Sequence, residues 1–333
     1  MPPIKASLGE TQLPLQWPQQ LQPLWQRFVH GDLPGKGQTR LHYSYYLVES
    51  ARHALVLSTG RVEMSVKYIE LMQDFIAAGY SVFILDHRGQ GLSERLQPDL
   101  HLGYVADFCD YADDFDTFVR QVVQPCGHQQ HLLLAHSMGA AIACQYLQRY
   151  RHPFNAAIFC SPMFGIRTGA LPTALTSRLV SGYSWLRSKL NVTNLQYFPG
   201  QTPYSDLPFS DNHLTHSEYR YQWLRKLYQQ YPATQLGGVS WAWLTEAIRA
   251  IKWIQQHAHE FNVPLLMLQA AEDKIVCNKA QLRWFNRLPL PLYKQREQLS
   301  GANHEIWMEQ DSIRQQAIAA VNQFLAGLAD HVD

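Results

Sequence analysis

The stretch His131-Leu-Leu-Leu-Ala135-His-Ser137-Met-Gly139 runs an apolar strand straight into a small-x-Ser-x-small turn. Ala140-Ala-Ile-Ala143 then reads as the start of a helix. A serine on so sharp a turn projects its hydroxyl from the edge of a sheet, as an activated nucleophile must. Strand and helix nearly touch there, so the residues two before and two after the serine must be small. Ala135 and Gly139 meet that need.

The sequence outward from this turn keeps one rhythm. Tyr43–Val48, His53–Leu57, Ser81–Leu85, His131–Ala135 and Ala156–Cys160 read as strands. Met64–Ala78, closed by Gly79, reads as a helix, as do Asp107–Val123 and Met138–Tyr150. Short apolar runs alternating with helices predict a mostly parallel central sheet with helices on both faces. The rhythm stops at Pro162 and resumes at Pro264. Strand Leu265–Gln269, helix Lys279–Arg287, strand Leu292–Leu299 and helix Asp311–Leu328 complete it. Residues 1–40, rich in Pro and Gln, read as an irregular N-terminal arm. Residues 41–162 and 256–333 then form one α/β core. Residues 163–255 form a helical, aromatic-rich insertion: 14 of the 40 Phe, Trp and Tyr residues fall within 183–253. Thr215-His-Ser-Glu218 in the insertion reads as a capping box, with Leu214 and Tyr219 as its hydrophobic staple. Tyr221, Leu224, Tyr228 and Tyr231 follow at helical spacing, as the insertion's own core or as an acyl-chain or membrane contact beside Arg220, Arg225 and Lys226.

A nucleophilic serine needs a base and an orienting acid. Pro264-Leu-Leu-Met-Leu-Gln-Ala-Ala-Glu-Asp273 ends a strand in carboxylates; Asp273 is the expected acid and Glu272 the reserve. Ser161-Pro162, after the strand ending at Cys160, offers no carboxylate. Leu299-Ser-Gly-Ala-Asn-His304 supplies the only histidine between the acid strand and the last helix. Ser137, Asp273 and His304 thus occur in the order that acyl transfer on such a sheet uses. Backbone N–H groups of Met138 and of Arg61, in the turn Ser58-Thr-Gly-Arg-Val62, are the expected oxyanion donors. This chemistry needs no metal and no organic cofactor. Asp86-His-Arg-Gly-Gln-Gly91 superficially suggests a phosphate loop but lacks its pattern and reads as a structural turn. His257-Ala-His259-Glu260 reads as a solvated helix end rather than a metal site.

Composition narrows the function classes. With 333 residues, 46% hydrophobic and 17% charged, the chain is globular. Lys+Arg (28) nearly cancel Asp+Glu (27), and a net charge of +1 provides no field for nucleic acid. Five unpatterned cysteines read as small apolar fillers in a reducing, cytoplasmic setting. Neither a signal peptide nor an apolar run long enough to cross a bilayer is recognisable.

The pieces Gly60-Arg-Val-Glu63, Asp86-His-Arg-Gly-Gln-Gly91, Ala135-His-Ser-Met-Gly139, Ser161-Pro-Met-Phe-Gly165, Leu214-Thr-His-Ser217 and Gly301-Ala-Asn-His-Glu305 together resemble the bacterial inner-membrane lysophospholipases. These belong to the monoacylglycerol lipase-like, serine hydrolase branch of the α/β-hydrolases. The resemblance runs from about residue 40 to residue 328 and leaves the N-terminal arm uncovered. It implies an α/β-hydrolase fold with a helical cap over an acyl-chain tunnel. It also implies a Ser137–Asp273–His304 triad, lysophospholipid substrates, and peripheral contact with the inner-membrane surface. Three departures stand out: Thr59-Gly60 replaces the His-Gly common in the wider lipase branch, Ala135 opens the elbow, and Ala270 stands where a glycine usually precedes the acid. They remove no catalytic side chain but leave lysophospholipid, monoacylglycerol and simpler esters open. Transacylation is an expected side activity. A peptidase that holds a free amine with the insertion's carboxylates Asp206, Asp211 and Glu218 is the competing reading, and a non-catalytic binding protein the remote one.

Overall fold

The computed structural model describes residues 2–167, 182 and 196–332. Eight strands form one sheet: β1 (Val29–Pro34), β2 (Arg40–Tyr46), β3 (His53–Ser58), β4 (Tyr80–Leu85), β5 (Gln130–His136), β6 (Phe154–Cys160), β7 (Leu265–Ala270) and β8 (Lys294–Leu299). Their order is β1-β2-β4-β3-β5-β6-β7-β8. The pairs β1–β2 and β2–β4 are antiparallel and all others parallel. This is the mostly parallel sheet expected from the strand–helix rhythm, in the α/β-hydrolase architecture that the family resemblance implies.

The central strands are apolar on both sides because helices cover both faces. Leu55, Leu57, Leu132 and Leu134 pack with α1 (Ile69–Ala77) and α7 (Asp311–Val332) through Ile69, Phe75, Val321 and Phe324. Ala54, Val56, Leu133 and Ala135 pack on the opposite face with α2 (Cys109–Phe118), α3 (Met138–Arg149), α5 (Trp241–Gln256) and α6 (Asn278–Phe285). Gly79, at φ 85°, ends α1 in the left-handed region that a side chain would strain.

Residues 1–40 depart from the expected irregular arm. Helical turns span Leu13–Gln16, Trp17–Leu21 and Gln22–Gln26, and β1 follows. Pro14, Pro18 and Pro23 each fall at the start of a turn, where proline is tolerated because the amide there has no helical partner. Leu13, Leu21 and Trp25 are buried in the main core. The Ile4 amide donates to Asn322, and the Glu10 amide to Asp311 of the last helix.

The insertion contributes α4 (Glu218–Gln230) and α5; its residues 168–195, apart from Gly182, lie outside the described part. The capping box expected at Thr215 does not form. Ser217 is the N-cap, accepting from the Arg220 amide, so Glu218 is the first helical residue. Thr215 is engaged elsewhere, its hydroxyl donating to Met308 O at 2.5 Å. Tyr219 points outward, so no staple closes on Leu214. Fully buried Arg220 ties α4 to the core through a bidentate bond to Glu70 (2.9 and 2.7 Å) and another to Asp311 (2.8 Å). Trp17 of the N-terminal turns meets Trp223 edge-on at 5.7 Å. No described helix is long and apolar enough to cross a membrane.

Candidate active site

Parallel strands bring their C-terminal ends to one edge, and the expected residues converge there. Ser137 follows β5 at φ 50° and ψ −115°, a conformation costing on the order of 1–3 kcal/mol for a non-glycine residue. Flanking bonds hold it: the Ser137 amide donates to Cys160 O (3.0 Å), and the Met163 amide to Ser137 O (3.0 Å). Gly139 is indispensable to this packing, since a Cβ there would lie 2.2 Å from Ser58 O and 2.4 Å from Thr59 O. Ala135 fits fully buried, so the expected glycine is unnecessary two residues before the serine.

The Ser137 hydroxyl donates to His304 Nε2 at 2.9 Å, and His304 Nδ1 donates to Asp273 Oδ2 at 2.7 Å. Asp273 Oδ1 accepts the amides of Ile275 (2.8 Å) and Val276 (2.9 Å). Burial alone would raise the Asp273 pKa, but His304 and these amides outweigh it and hold the carboxyl below its ordinary value. Glu272 is exposed, so the choice between the two acids falls on Asp273. The arrangement can take a proton from Ser137 and return it to a leaving group.

Met138 is the first residue of α3, where a helix leaves its amides without partners. Arg61 sits in the turn after β3, next to Val62 at φ 62°. Gln90 Nε2 donates to Gly60 O (2.7 Å), and the Tyr228 hydroxyl of α4 donates to Val62 O. The Asp86–Gly91 loop is therefore structural, as expected: it braces the Ser58–Val62 turn, while Asp86 accepts from the Ser65 and Leu92 amides at 2.8 Å. His257 stacks on Trp253 and bonds its carbonyl, and His259 is solvated; among the described residues no cluster suits a metal ion.

Glu63 and Glu305 stand in the sequence only as the ends of quoted motifs, and Lys67 carries no motif of its own. The structure puts these three with His136 in a buried cluster behind the nucleophile. Glu63 accepts from the Gly60 amide, from His136 Nδ1 (2.9 Å), from Lys67 (2.7 Å) and from the Tyr68 hydroxyl (2.7 Å). Lys67 also pairs with Glu305 at 2.9 Å. His136 Nε2 lies 3.2 Å from His304 O. One carboxylate therefore joins the Ser58–Val62 turn to the turn at Ser137 and, through Lys67 and His136, to the loop of His304. Burial would raise the Glu63 pKa, but Lys67 and His136 hold it far below the carboxylate range. Burial would lower His136, and Glu63 raises it instead. The Glu-x-x-x-Lys spacing was the only available signal, and it is equally that of an ordinary surface pair.

Ser137 and His304 open on a cavity of about 1750 Å³, walled by apolar side chains from Met163, Leu224, Leu236, Trp243 and Ile248 and by Tyr221 and Tyr228. Tyr221, Leu224 and Tyr228 of the helical stripe thus face the cavity as well as packing in the insertion. A protein-family model described as serine aminopeptidase, S33, matches residues 49–311. The chain belongs to that family. It is 33% identical over 309 residues to lysophospholipase L2 of Escherichia coli, spanning 90% of this chain and 88% of that protein. It is likewise 33% identical to a probable lysophospholipase L2 of Haemophilus influenzae, over 92% and 95% of the two chains. Among solved structures, a soluble variant of Saccharomyces cerevisiae monoglyceride lipase with a substrate analogue superposes with a TM-score of 0.68 at 17% identity, covering 90% of this chain and 96% of that one. The chain thus joins the α/β-hydrolase fold to membership of a serine hydrolase family that matches most of its length.

Proposed function

We propose that this protein hydrolyses the acyl ester of lysophospholipids by a Ser137–His304–Asp273 mechanism. The observation that carries the proposal is the hydrogen-bonded Ser137–His304–Asp273 relay opening on a large apolar cavity. Kinship with lysophospholipase L2 proteins supports the substrate class. His304, oriented by Asp273, takes the Ser137 proton as Ser137 attacks the ester carbonyl. The Met138 and Arg61 amides stabilise the oxyanion. The glycerophospho-alcohol leaves with the proton from His304. Water, activated by the same imidazole, then releases the fatty acid. An alcohol in place of water would give transacylation. Monoacylglycerols share the scissile ester and are the alternative substrates.

Residues 163–255 act in this reading as a cap whose aromatic wall receives the acyl chain. Leu207 and Tyr219, both 47% exposed, and Lys226 give the cap a surface for peripheral contact with a membrane. The peptidase alternative finds less support. Asp206 lies 3.5 Å from Arg225, Glu218 accepts from Gln222, and Asp211 is exposed. The three are engaged or solvated and do not converge on a free amine.

Each CH₂ buried in the cavity contributes about 0.8 kcal/mol. Esterase activity on p-nitrophenyl esters should therefore rise at least tenfold, in rough terms, from butyrate to laurate. Equal kcat/KM on acetate and laurate would remove the acyl-tunnel reading.

A further inference from the structure

We infer that the Arg61 side chain is the binding site for the phosphodiester of the substrate's headgroup, and so sets preference for lysophospholipids over neutral glycerides. This deepens the functional reading above and rests on it. Arg61 lines the cavity that holds Ser137 and His304. Its guanidinium lies 5.3 Å from the centre of the Trp243 ring, Nη2 donates to the Gly237 carbonyl, and buried Nε has no partner. Among the described residues no carboxylate pairs with it; the titratable groups facing it are the hydroxyls of Tyr111 and Tyr197.

That isolation sets Arg61 apart. Lys67 lies between Glu63 and Glu305, Arg88 meets Asp110 and Asp114, Arg220 meets Glu70 and Asp311, and Arg314 meets Asp74. Among the described residues Arg95 and Lys294 are also withdrawn and lack a carboxylate, but backbone carbonyls take them up: four for Arg95 and two for Lys294. Arg61 is half-buried with its Nε withdrawn from solvent, and a cation so withdrawn without a counter-charge is costly unless a ligand supplies the anion. Burial lowers the Arg61 pKa to about 10, so the side chain still carries its charge at neutral pH.

Position identifies the anion. In the mechanism proposed above the Arg61 amide holds the oxyanion, which puts the ester carbonyl beside the Arg61 backbone. The phosphate of a lysophospholipid stands one glycerol unit from that carbonyl, a span of the same order as an extended arginine side chain. A guanidinium with a free N–H suits phosphate oxygens. A monoacylglycerol presents only hydroxyls there.

The test compares wild type, R61M and R61K, all of which keep the backbone amide. The ratio of kcat/KM for lysophosphatidylethanolamine to that for monolauroylglycerol should fall roughly 30-fold in R61M and recover most of that in R61K. A ratio within about threefold of wild type in R61M overturns the assignment. A second arm needs no variant: glycerophosphoethanolamine should compete with p-nitrophenyl butyrate in wild type, and laurate should compete without sensitivity to R61M. Absence of inhibition by glycerophosphoethanolamine also overturns the site. Wild type that hydrolyses only the neutral glyceride yet is inhibited by glycerophosphoethanolamine keeps the anion site and refutes the lysophospholipase reading instead.

Discussion

Ser137→Ala should lower ester turnover by about 10⁶-fold, the size of effect found when the nucleophile of such a triad is removed. Loss of one hydroxyl leaves the Asp273–His304 bond and the core untouched, so the melting temperature should stay within about 2 °C of wild type. The same variant should fail to react with a fluorophosphonate that labels wild type stoichiometrically. The assay is p-nitrophenyl laurate hydrolysis with labelling in parallel. Retention of more than about 1% of wild-type turnover would place the nucleophile elsewhere.

Glu63→Ala is the second large effect, and it touches no substrate. The change leaves Lys67 and His136 buried with less negative charge and frees the Gly60 amide. Removing one partner of a buried ion cluster typically costs about 3–5 kcal/mol. Catalysis should fall as well, by roughly 10²-fold in kcat with little change in KM, because the oxyanion turn and the nucleophile turn lose a shared anchor. Urea unfolding and steady-state kinetics on one preparation measure both. A variant with wild-type kcat and a stability change under about 1 kcal/mol would show the cluster to be incidental.

The cluster also gives stability a pH window. Glu63 is held below its ordinary pKa, so its contribution is present above about pH 4.3, the unfolded value, and is lost as acid protonates the folded carboxylate. His136 is raised above its ordinary value, so its contribution is complete below about pH 6.5 and fades as pH rises through the folded pKa. Glu63→Ala should therefore differ most from wild type between about pH 4.3 and 6.5.

Much of the fold was legible because its signals are local. Strands β3 to β7 are short apolar runs, and the turn at Ser137 needs small neighbours within two residues. Chain order then placed Asp273 and His304 at the ends of later strands. The N-terminal elements were hidden for a physical reason. Strand β1 buries only Leu33 at an antiparallel edge, so it has no apolar run to read. The prolines of residues 14–23 mimic a loop while each occupies the tolerated start of a turn. The helix start at Ser217 was misplaced because Thr215 satisfies a distant carbonyl, Met308, that no local pattern reveals. The Glu63 cluster joins residues up to 242 positions apart, and only the assembled fold brings them together.

Lysophospholipid hydrolysis at Ser137 is the activity proposed for this protein. Its most direct test is fatty-acid release from lysophosphatidylethanolamine by purified wild-type protein, measured beside monolauroylglycerol. Release from the lysophospholipid with kcat/KM at or above that for the glyceride is the result predicted. Release from the glyceride alone would contradict it and make the protein a neutral-lipid esterase.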